Sequence, residues 1–432
     1  MLTFRRLLCS LSILGLLIAS SIASAESPAT IYRATIKPSL VYLATGATQP
    51  FKVIIPATRL VAAQPPKEVK WSVNEIPGGD ATYGTIDANG LYTAPAAIPS
   101  PREIHIIGEV PEAQNRLVFA TVILGDTPPE YKSVHIWSEP KVSEETGRTE
   151  HMLDPHGIAI DHSGTVLIAD QRGSKVLRYT KEGKYLGELD KGKGSEPGQV
   201  NEPRIIAINA EGKIYISDSK GDRPRIQVFS PEGEFLQIFA EKGMQPGMIF
   251  RCHGMGFDPQ GRLFTSDVDN MRVNVYSPEG EFLFDWGKEG VQAGQFNAPH
   301  GCYVDPAGDV FVTGYYGPTQ KFSPDGNFIT AFAHGDPPDG PVYFHNVCGD
   351  RWGNVFVMVR SKTGYQGALD AGGKPGKRYS IMKYNNNGDY VTGWAFSAPE
   401  HSETTAFADT DGRVYGLFGG AKEKGVETFV EE

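Results

Sequence analysis

The chain has 432 residues and a formal net charge of −10 at pH 7. This length suits two domains that each bury a core without disulfide staples. The modest negative charge argues against nucleic acid or an anionic membrane surface as the main partner, because both bind basic protein surfaces. Cys9 lies in an N-terminal apolar run, and the three other cysteines are Cys252, Cys302 and Cys348. An odd number argues against a disulfide framework.

The N-terminus has the three parts of a secretory signal peptide. Arg5 and Arg6 precede an apolar run from 7 to about 22, which is followed by the small residues Ala23–Ala25. We predict that residues 1–25 are a signal peptide, and that cleavage near Ala25 leaves a secreted or periplasmic protein. No other stretch approaches the roughly 18 apolar residues of a membrane-spanning helix, so we expect no membrane insertion.

Residues 29–125 alternate apolar and polar positions in short runs broken by Gly, Pro and Asn, which predicts an antiparallel β-sandwich. The predicted strands are Phe51–Ile55, Glu68–Val73, Gly90–Thr93, Glu103–Val110 and Leu117–Leu124. Trp71–Val73, followed at a short distance by Gly84–Pro95, resembles the bacterial immunoglobulin-like modules of exported proteins. The resemblance implies a spacer or an adhesive module, with a possible cell-surface or glycan partner.

Residues 126–130 contain Pro128 and Pro129 and are predicted to be a stiff linker. Beyond the linker, a short phrase recurs in six copies at spacings of 48, 49, 47, 45 and 59 residues. The first residues of the copies are His156, Arg204, His253, His300, His345 and Thr404. Each repeat carries further short strands separated by Gly turns, with second strands predicted at 166–170, 214–218, 263–267, 310–313 and 355–359. Four strands in a unit of this length indicate a propeller blade.

The units resemble NHL repeats, as at Arg225–Phe229, where the Arg-Ile-Gln-Val-Phe motif is intact. The sixth unit lacks a fourth strand after Val426–Val430, and Ser133–Trp137 has the length to supply one. We therefore predict an all-β chain, in which an N-terminal immunoglobulin-like β-sandwich is followed over residues 131–432 by a six-bladed β-propeller of NHL type. The added strand would also remove an exposed sheet edge.

The first strand of each blade lines the central channel of a propeller, so the six leading residues of the phrase should form a ring. Several imidazoles around one axis suit a divalent transition metal, zinc first and iron or copper as alternatives. The predicted ligands are His156, His253, His300 and His345. Calcium, which prefers oxygen ligands, could be a structural ion at 267–270. The alternative is that these histidines are hydrogen-bonded residues in a water-filled channel.

The layout resembles peptidyl-α-hydroxyglycine α-amidating lyase, a secreted NHL propeller with a zinc ion held by channel histidines. The resemblance implies that Arg204 holds a substrate carbonyl or carboxylate, and that a tyrosine, for which Tyr315 and Tyr343 are candidates, moves a proton. It also implies cleavage of an N-acyl hemiaminal in a small-molecule or peptide substrate. Here four histidines stand where the family uses three.

Two other functions stay open. A set of four histidines also suits a metal-dependent oxidative enzyme, by chemical analogy with Fe(II) dioxygenases on seven-bladed propellers. A non-enzymatic surface-binding or adhesion protein would need neither the metal nor the histidines. Asp170, Asp218 and Asp267 each occupy the last position of the second strand in their repeat. We interpret them as residues that tie down a turn.

Overall fold

A computed structural model describes residues 33–57, 63–138, 151–219, 223–315, 317–332, 343–360, 381–397, 403–409, 412–419 and 424–432, without the side chains of 343, 360, 403 and 404. The predicted signal peptide lies outside these residues. Within them every regular element is a β-strand, so the structure is all-β. No helix with the length and apolar character of a membrane span occurs in this part of the chain.

The described residues before the predicted linker form strands β1 to β11, arranged in three sheets. The strands are β1 (Thr35–Lys37), β2 (Leu40–Leu43), β3 (Thr48–Pro50), β4 (Lys52–Ile54), β5 (Lys70–Val73), β6 (Ile76–Pro77), β7 (Gly79–Asp80), β8 (Gly84–Ile86), β9 (Leu91–Thr93), β10 (Glu103–Glu109) and β11 (Leu117–Leu124). The sheet orders are β1-β4, β2-β11-β10-β5-β6 and β3-β9-β8-β7. One buried core joins the three sheets, with Phe51, Tyr92 and Ile106 among its members.

After the predicted linker, β12 (Tyr131–Ser138) and the strands that follow it form six four-stranded sheets, and β12 belongs to the sixth. Sheets one to three contain β13 (Pro155–Ile160), β14 (Val166–Asp170), β15 (Lys175–Tyr179), β16 (Tyr185–Glu188); β17 (Pro203–Ile208), β18 (Ile214–Asp218), β19 (Arg225–Phe229), β20 (Phe235–Phe239); and β21 (Cys252–Phe257), β22 (Leu263–Asp267), β23 (Arg272–Tyr276), β24 (Phe282–Trp286). Sheets four to six contain β25 (Pro299–Val304), β26 (Val310–Gly314), β27 (Thr319–Phe322), β28 (Phe328–Phe332); β29 (Tyr343–Gly349), β30 (Val355–Arg360), β31 (Ile381–Tyr384), β32 (Tyr390–Trp394); and β33 (Glu403–Ala408), β34 (Val414–Gly419), β35 (Lys424–Glu431).

The six sheets close into a ring, which is the arrangement of a six-bladed β-propeller. The first strand of each sheet contacts the first strand of the next, and β33 of the sixth sheet contacts β13 of the first. The sixth sheet has the order β12-β35-β34-β33, so its outer strand comes from the segment before the first blade. The predicted closing strand is thus confirmed, and its pairing runs from Tyr131 opposite Glu431 to Ser138 opposite Gly425.

The turns between first and second strands are built from one side chain and one glycine. The Asp161 carboxylate accepts the N–H groups of Ser163 and Thr165 at 2.9 and 2.8 Å. Gly164 has a φ of 87°, a left-handed conformation that favours glycine. This turn chemistry recurs along the chain and explains why blade boundaries could be predicted closely. Second strands predicted at 166–170, 214–218 and 263–267 match the structure.

The prediction was less complete for the N-terminal region. Its five predicted strands correspond to β4, β5, β9, β10 and β11, but the six other strands are two to four residues long and were not predicted. Trp71 is half-buried against the core. In the described part of the chain Cys252, Cys302 and Cys348 are free cysteines.

The N-terminal region packs against one face of the propeller. Ser39 Oγ donates to Asp389 at 2.6 Å, and the His105 ring stacks on Trp352 with centroids 4.8 Å apart. Trp352 lies between the first and second strands of the fifth sheet, and Asp389 between its third and fourth strands. The leading residues of the repeated phrase lie at the opposite ends of the first strands. The N-terminal region and the histidines are therefore on opposite faces of the propeller.

Candidate functional site

The leading residues of the phrase lie where the first strand bulges away from its neighbour. The pairing between first and second strands is interrupted between Pro155 and Gly157, so that His156 bulges, and between Cys252 and Gly254, so that His253 bulges. The same interruption occurs around Arg204, His300 and His345. A bulge bends the strand locally and redirects a side chain. In these five sheets, the bulge therefore lies at the leading residue of the repeated phrase.

The sixth copy differs from the other five. The β33–β34 pairing is continuous from Glu403 to Ala408, with Thr404 opposite Phe418. The backbone of Thr404 therefore lies in a regular ladder, and its side chain is outside the described residues. The repeated phrase predicts the same strand geometry in all six copies. The backbone shows a bulge in the first five copies and regular pairing in the sixth.

Glycine after the histidine lets neighbouring first strands approach closely. A Cβ atom on Gly254 would collide with the backbone nitrogen of Cys302, and one on Gly157 with the carbonyl oxygen of Arg204. A Cβ on Gly301 would lie 2.6 Å from the backbone nitrogen of Val347. The repeated His-Gly pair thus combines a functional side chain with the close strand packing that brings such side chains together.

The four histidines form one cluster of buried rings. His253 and His300 have ring centroids 4.1 Å apart, and His300 and His345 are 4.3 Å apart. His156 completes the cluster at 5.2 Å from His345 and 5.6 Å from His253. Each ring is at most 6% exposed. The structure therefore brings all four predicted ligand residues together at one end of the channel.

Hydrogen bonds link the cluster internally. His253 Nδ1 lies 2.6 Å from His300 Nε2, and His300 Nδ1 lies 2.6 Å from the backbone oxygen of His345. Arg204 Nη1 lies 3.2 Å from His156 Nε2, so the predicted arginine contacts the cluster directly. His253 Nε2 is buried and has no hydrogen-bond partner among the described residues.

Tyr315 is the predicted tyrosine that the structure places at the cluster. Its ring centroid lies 5.3 Å from that of His300 and 6.4 Å from that of His345. The Tyr315 N–H donates to the Ala298 carbonyl oxygen at 2.9 Å, which ties the residue to the segment just before β25. Tyr343 is the first residue of β29, and its side chain lies outside the described residues.

The environment lowers the pKa of two of the clustered imidazoles. Burial, with the neighbouring His300 ring and the Arg204 charge adding to it, lowers the pKa of His253 well below its ordinary value. Burial also lowers the pKa of His300 well below its ordinary value, with further contributions from His345 and His156. Neutral imidazole is the form that binds a metal or accepts a proton.

The donor set fits a transition metal in its chemistry. The cluster offers imidazole nitrogens, among them the buried His253 Nε2 that has no partner among the described residues, whereas Ca²⁺ and Mg²⁺ prefer carboxylate oxygens. In the described part of the chain, however, no three histidine, cysteine or acidic side chains are placed around a common metal position. Two of the imidazoles are instead hydrogen-bonded to each other, His253 to His300.

An axial cavity of about 710 Å³ adjoins the cluster. Its lining begins one or two residues after the leading residues of the phrase, for example at Gly157, Gly254 and Cys302. It continues along all six first strands towards Asp161 and Lys181 near the opposite face. The cluster therefore lies at one end of a cavity whose volume is typical of small-molecule sites.

Three aspartates at the ends of second strands support the segments that lead into the cluster. Asp267 accepts the N–H groups of Phe250 and Arg251, just before β21. Asp170 accepts those of Leu153 and Asp154, and Asp218 that of Asn201. The interpretation of these aspartates as residues that tie down a turn is confirmed.

Second-strand hydroxyl groups also support the cluster, and sequence reasoning missed them. Ser266 Oγ donates to the His300 carbonyl oxygen of the next sheet, and Ser217 Oγ donates to that of Cys252 at 3.1 Å. The Gly301 N–H donates to Thr313 Oγ1 at 2.7 Å. These residues share one phase in their strands, and the Ser-Asp pairs at 217–218 and 266–267 were the available signal.

Comparisons with known proteins find no matching family model and no matching curated protein. Among solved structures, virginiamycin B lyase from Staphylococcus aureus is 10% identical, covers 70% of this chain and 100% of its own, and has a TM-score of 0.46. A gluconolactonase from Xanthomonas campestris is 13% identical over 71% of this chain and 98% of its own, with a TM-score of 0.46. A protein of unknown function from Bacteroides thetaiotaomicron is 14% identical over 94% of this chain and 99% of its own, with a TM-score of 0.47. Likenesses at this level assign no activity to the chain.

Proposed function

We propose that the histidine cluster is the active site of an exported metal-dependent lyase that resembles peptidyl-α-hydroxyglycine α-amidating lyase. The observation that carries the proposal is the convergence of four buried imidazoles and Arg204 at one end of the axial cavity. The NHL type of the blades, the immunoglobulin-like type of the N-terminal region and export by the predicted signal peptide belong to the same proposal. They rest on the sequence motifs described above.

The candidate ligands of a divalent transition metal, zinc in the first place and iron or copper as alternatives, are three or all four of His156, His253, His300 and His345. The metal, when bound, would supply a Lewis acid for a substrate oxygen. Burial of the cluster keeps bulk water away from the reacting atoms, which strengthens each electrostatic contact. A catalytic zinc site commonly uses three protein ligands and leaves the fourth position open, so four histidines are one more than such a site needs.

Arg204 and Tyr315 have separate roles in this proposal. Arg204 contacts His156 through Nη1, and its guanidinium would hold a carbonyl or carboxylate of the substrate. The Tyr315 phenolate would take the hydroxyl proton of an N-acyl hemiaminal. As the C–O bond becomes a C=O bond, the C–N bond breaks and the nitrogen takes a proton. The products are an aldehyde and a primary amide, and no oxidant is consumed.

The test is metal content and lyase activity on protein purified without a His-tag. We expect about one zinc, iron or copper per chain in the wild type, because the four histidines form a single cluster. The variant His253→Ala with His300→Ala should lose the metal and the cleavage of an N-acyl-α-hydroxyglycine peptide. His135→Ala, which removes an exposed histidine of β12 outside the cluster and the axial cavity, is the matched control.

Absence of bound metal, together with no uptake of added zinc, iron or copper by the folded wild type, would overturn the proposal. Iron with oxygen consumption, and no cleavage of the hemiaminal, would favour the oxidative enzyme instead. Circular dichroism of each variant separates loss of the site from loss of the fold.

A binding function has one specific observation in its favour. A groove of about 450 Å³ in the N-terminal region is lined by Trp71, with Gln64, Lys67 and Asn89 at its exposed edge. The half-buried indole lies against Gly90, where a Cβ atom would meet the ring at 2.9 Å. An aromatic face beside amide and charged groups suits a sugar ring. Calorimetry with chito- and cello-oligosaccharides, using Trp71→Ala and the exposed aromatic control Tyr42→Ala, tests this second candidate.

A further inference from the structure

Two of the clustered histidines differ in what their nitrogens can still bind. A hydrogen-bonded chain runs from the backbone oxygen of His345 to His300 Nδ1, and from His300 Nε2 to His253 Nδ1, each step being 2.6 Å. We infer that His300 is a positioning residue and not a metal ligand, and that it orients His253 so that only Nε2 of His253 faces the ligand. This inference rests on the proposed function and divides the four histidines into different roles.

The direction of each hydrogen bond follows from the carbonyl group. A carbonyl oxygen only accepts, so His300 Nδ1 must carry the proton. In the neutral imidazole of His300 the other ring nitrogen, Nε2, then has the lone pair, and it accepts from His253 Nδ1–H at 2.6 Å. A neutral His253 that donates through Nδ1 likewise has its lone pair on Nε2. The carbonyl of one strand thereby sets the tautomer of two rings.

The consequence differs for the two residues. Both His300 nitrogens are already used, Nδ1 as a donor and Nε2 as an acceptor, so no lone pair is left for a metal. His253 has the opposite balance, because its Nε2 is buried without a hydrogen-bond partner among the described residues. Ligand histidines commonly donate their second ring N–H to such an orienting acceptor, which selects the tautomer and raises the basicity of the ligand nitrogen.

The backbone around this pair supports a fixed arrangement. Ser266 Oγ donates to the His300 carbonyl oxygen from the sheet that carries His253. Gly254, directly after His253, packs against the backbone from His300 to Cys302 so tightly that a Cβ atom would collide there. β21 and β25 are thereby held in one relative position, and the 2.6 Å contact between the two rings follows from it.

The test compares three variants by metal binding. The amide of His300→Gln can accept from His253 and donate to the His345 carbonyl, so this variant should keep the wild-type zinc or cobalt stoichiometry with less than about tenfold loss of affinity. His300→Leu removes the orienting group and should keep the stoichiometry with an affinity about 10 to 100 times weaker. His253→Ala should lose stoichiometric metal. Loss of the metal from folded His300→Gln would overturn the inference, because His300 would then be a ligand.

A second measurement needs no metal. Long-range ¹H–¹⁵N spectra of metal-free protein labelled with ¹⁵N-histidine report which ring nitrogen is protonated, and the variants assign the signals. We expect the Nδ1–H tautomer at both His300 and His253, and an Nε2–H signal at His300 would overturn the inference. If the wild type bound no metal, the proposed function would fail, while the tautomers would still decide the roles within the pair.

Discussion

Glu103 and Lys383 form a buried ion pair that joins the N-terminal region to the fifth sheet. Lys383 Nζ lies 2.6 Å from Glu103 Oε2, and both residues are 1% exposed. Lys383 also donates to the Tyr131 hydroxyl at 2.9 Å, and Asn354 Nδ2 donates to the Glu103 carboxylate at 2.8 Å. Burial alone would raise the pKa of Glu103, but the Lys383 charge holds it below its ordinary value. This network links β10, the closing strand and the fifth sheet.

Lys383→Met should reduce stability strongly, because it leaves the Glu103 carboxylate buried without a counter-charge. We expect the free energy of unfolding to fall by about 3 to 5 kcal/mol, measured by equilibrium unfolding in urea. The double variant Glu103→Gln with Lys383→Met should recover part of that loss, because the uncompensated charge is gone.

The matched control is Lys213→Met, which removes an ammonium group 2.7 Å from Glu211 at an exposed site. Solvent screening should make that change hard to measure. If Lys383→Met were no more destabilising than Lys213→Met, the network would not hold the N-terminal region to the propeller.

Asp267→Ala should loosen the segment that leads into His253. The carboxylate accepts the Phe250 N–H at 3.1 Å and the Arg251 N–H at 3.0 Å, and it is fully buried. Hydrogen exchange should then accelerate at these two amides, with a stability loss of about 1 to 3 kcal/mol. Asp269→Ala, which removes only an exposed contact with Arg251, is the control. Unchanged exchange at Phe250 in Asp267→Ala would contradict the assigned role.

Local patterns account for what the sequence predicted well. The blade strands alternate with Gly turns, so β14, β18 and β22 were predicted with their observed bounds. The closing strand followed from counting strands in the last repeat, since an unpaired sheet edge is unfavourable. The shared phase of the histidines then predicted their convergence, which the structure contains.

Contacts between distant residues account for what the sequence missed. Nothing near Glu103 indicates that its partner lies 280 residues later, because burial of an ion pair depends on how two regions pack. The bulges at His156 and His253 were missed because a bulge is a property of two paired strands. The hydrogen bond between His253 and His300 likewise depends on the approach of β21 to β25, which glycine permits but does not specify.

Gly254→Ala should disturb the site through the backbone. Its Cβ would meet the Cys302 nitrogen and the His300 carbonyl oxygen, and neither is the end of a flexible side chain. β21 and β25 would have to separate, at a cost of about 1 to 3 kcal/mol for overpacking. We expect metal affinity to fall at least about tenfold, because outer contacts that orient ligand residues contribute on that scale.

Gly317→Ala is the control for this change, because the added methyl group would have no atom of the described residues within 4 Å, its chain neighbours aside. Thermal unfolding and metal titration of both variants make the comparison. Equal affinity in Gly254→Ala and the wild type would show that the close approach of the two strands does not position His253.

His105 should make stability fall in acid. The imidazole is buried and stacks on Trp352, with Glu103 Oε1 3.6 Å from its Nε2. Burial lowers the pKa of His105 to about 4; the Glu103 charge raises the pKa, and Lys383 and Arg351 lower it further. The unfolded chain, with an ordinary histidine pKa of about 6.5, binds more protons than the folded chain between pH 4 and 6.5. Stability from this group is therefore complete above pH 6.5 and is lost as the pH falls toward 4.

The comparison of wild type with His105→Phe isolates this effect. Phenylalanine keeps an aromatic ring beside Trp352 but takes up no proton, so its stability should depend less on pH. Between pH 7.5 and pH 4.5, linkage gives a loss of about 2.5 kcal/mol in the wild type from His105 alone. Urea unfolding at the two pH values should show a loss smaller by about this amount in His105→Phe. Equal losses in the two proteins would mean that His105 keeps an ordinary pKa in the folded state, and that the acid sensitivity arises in the buried carboxylates.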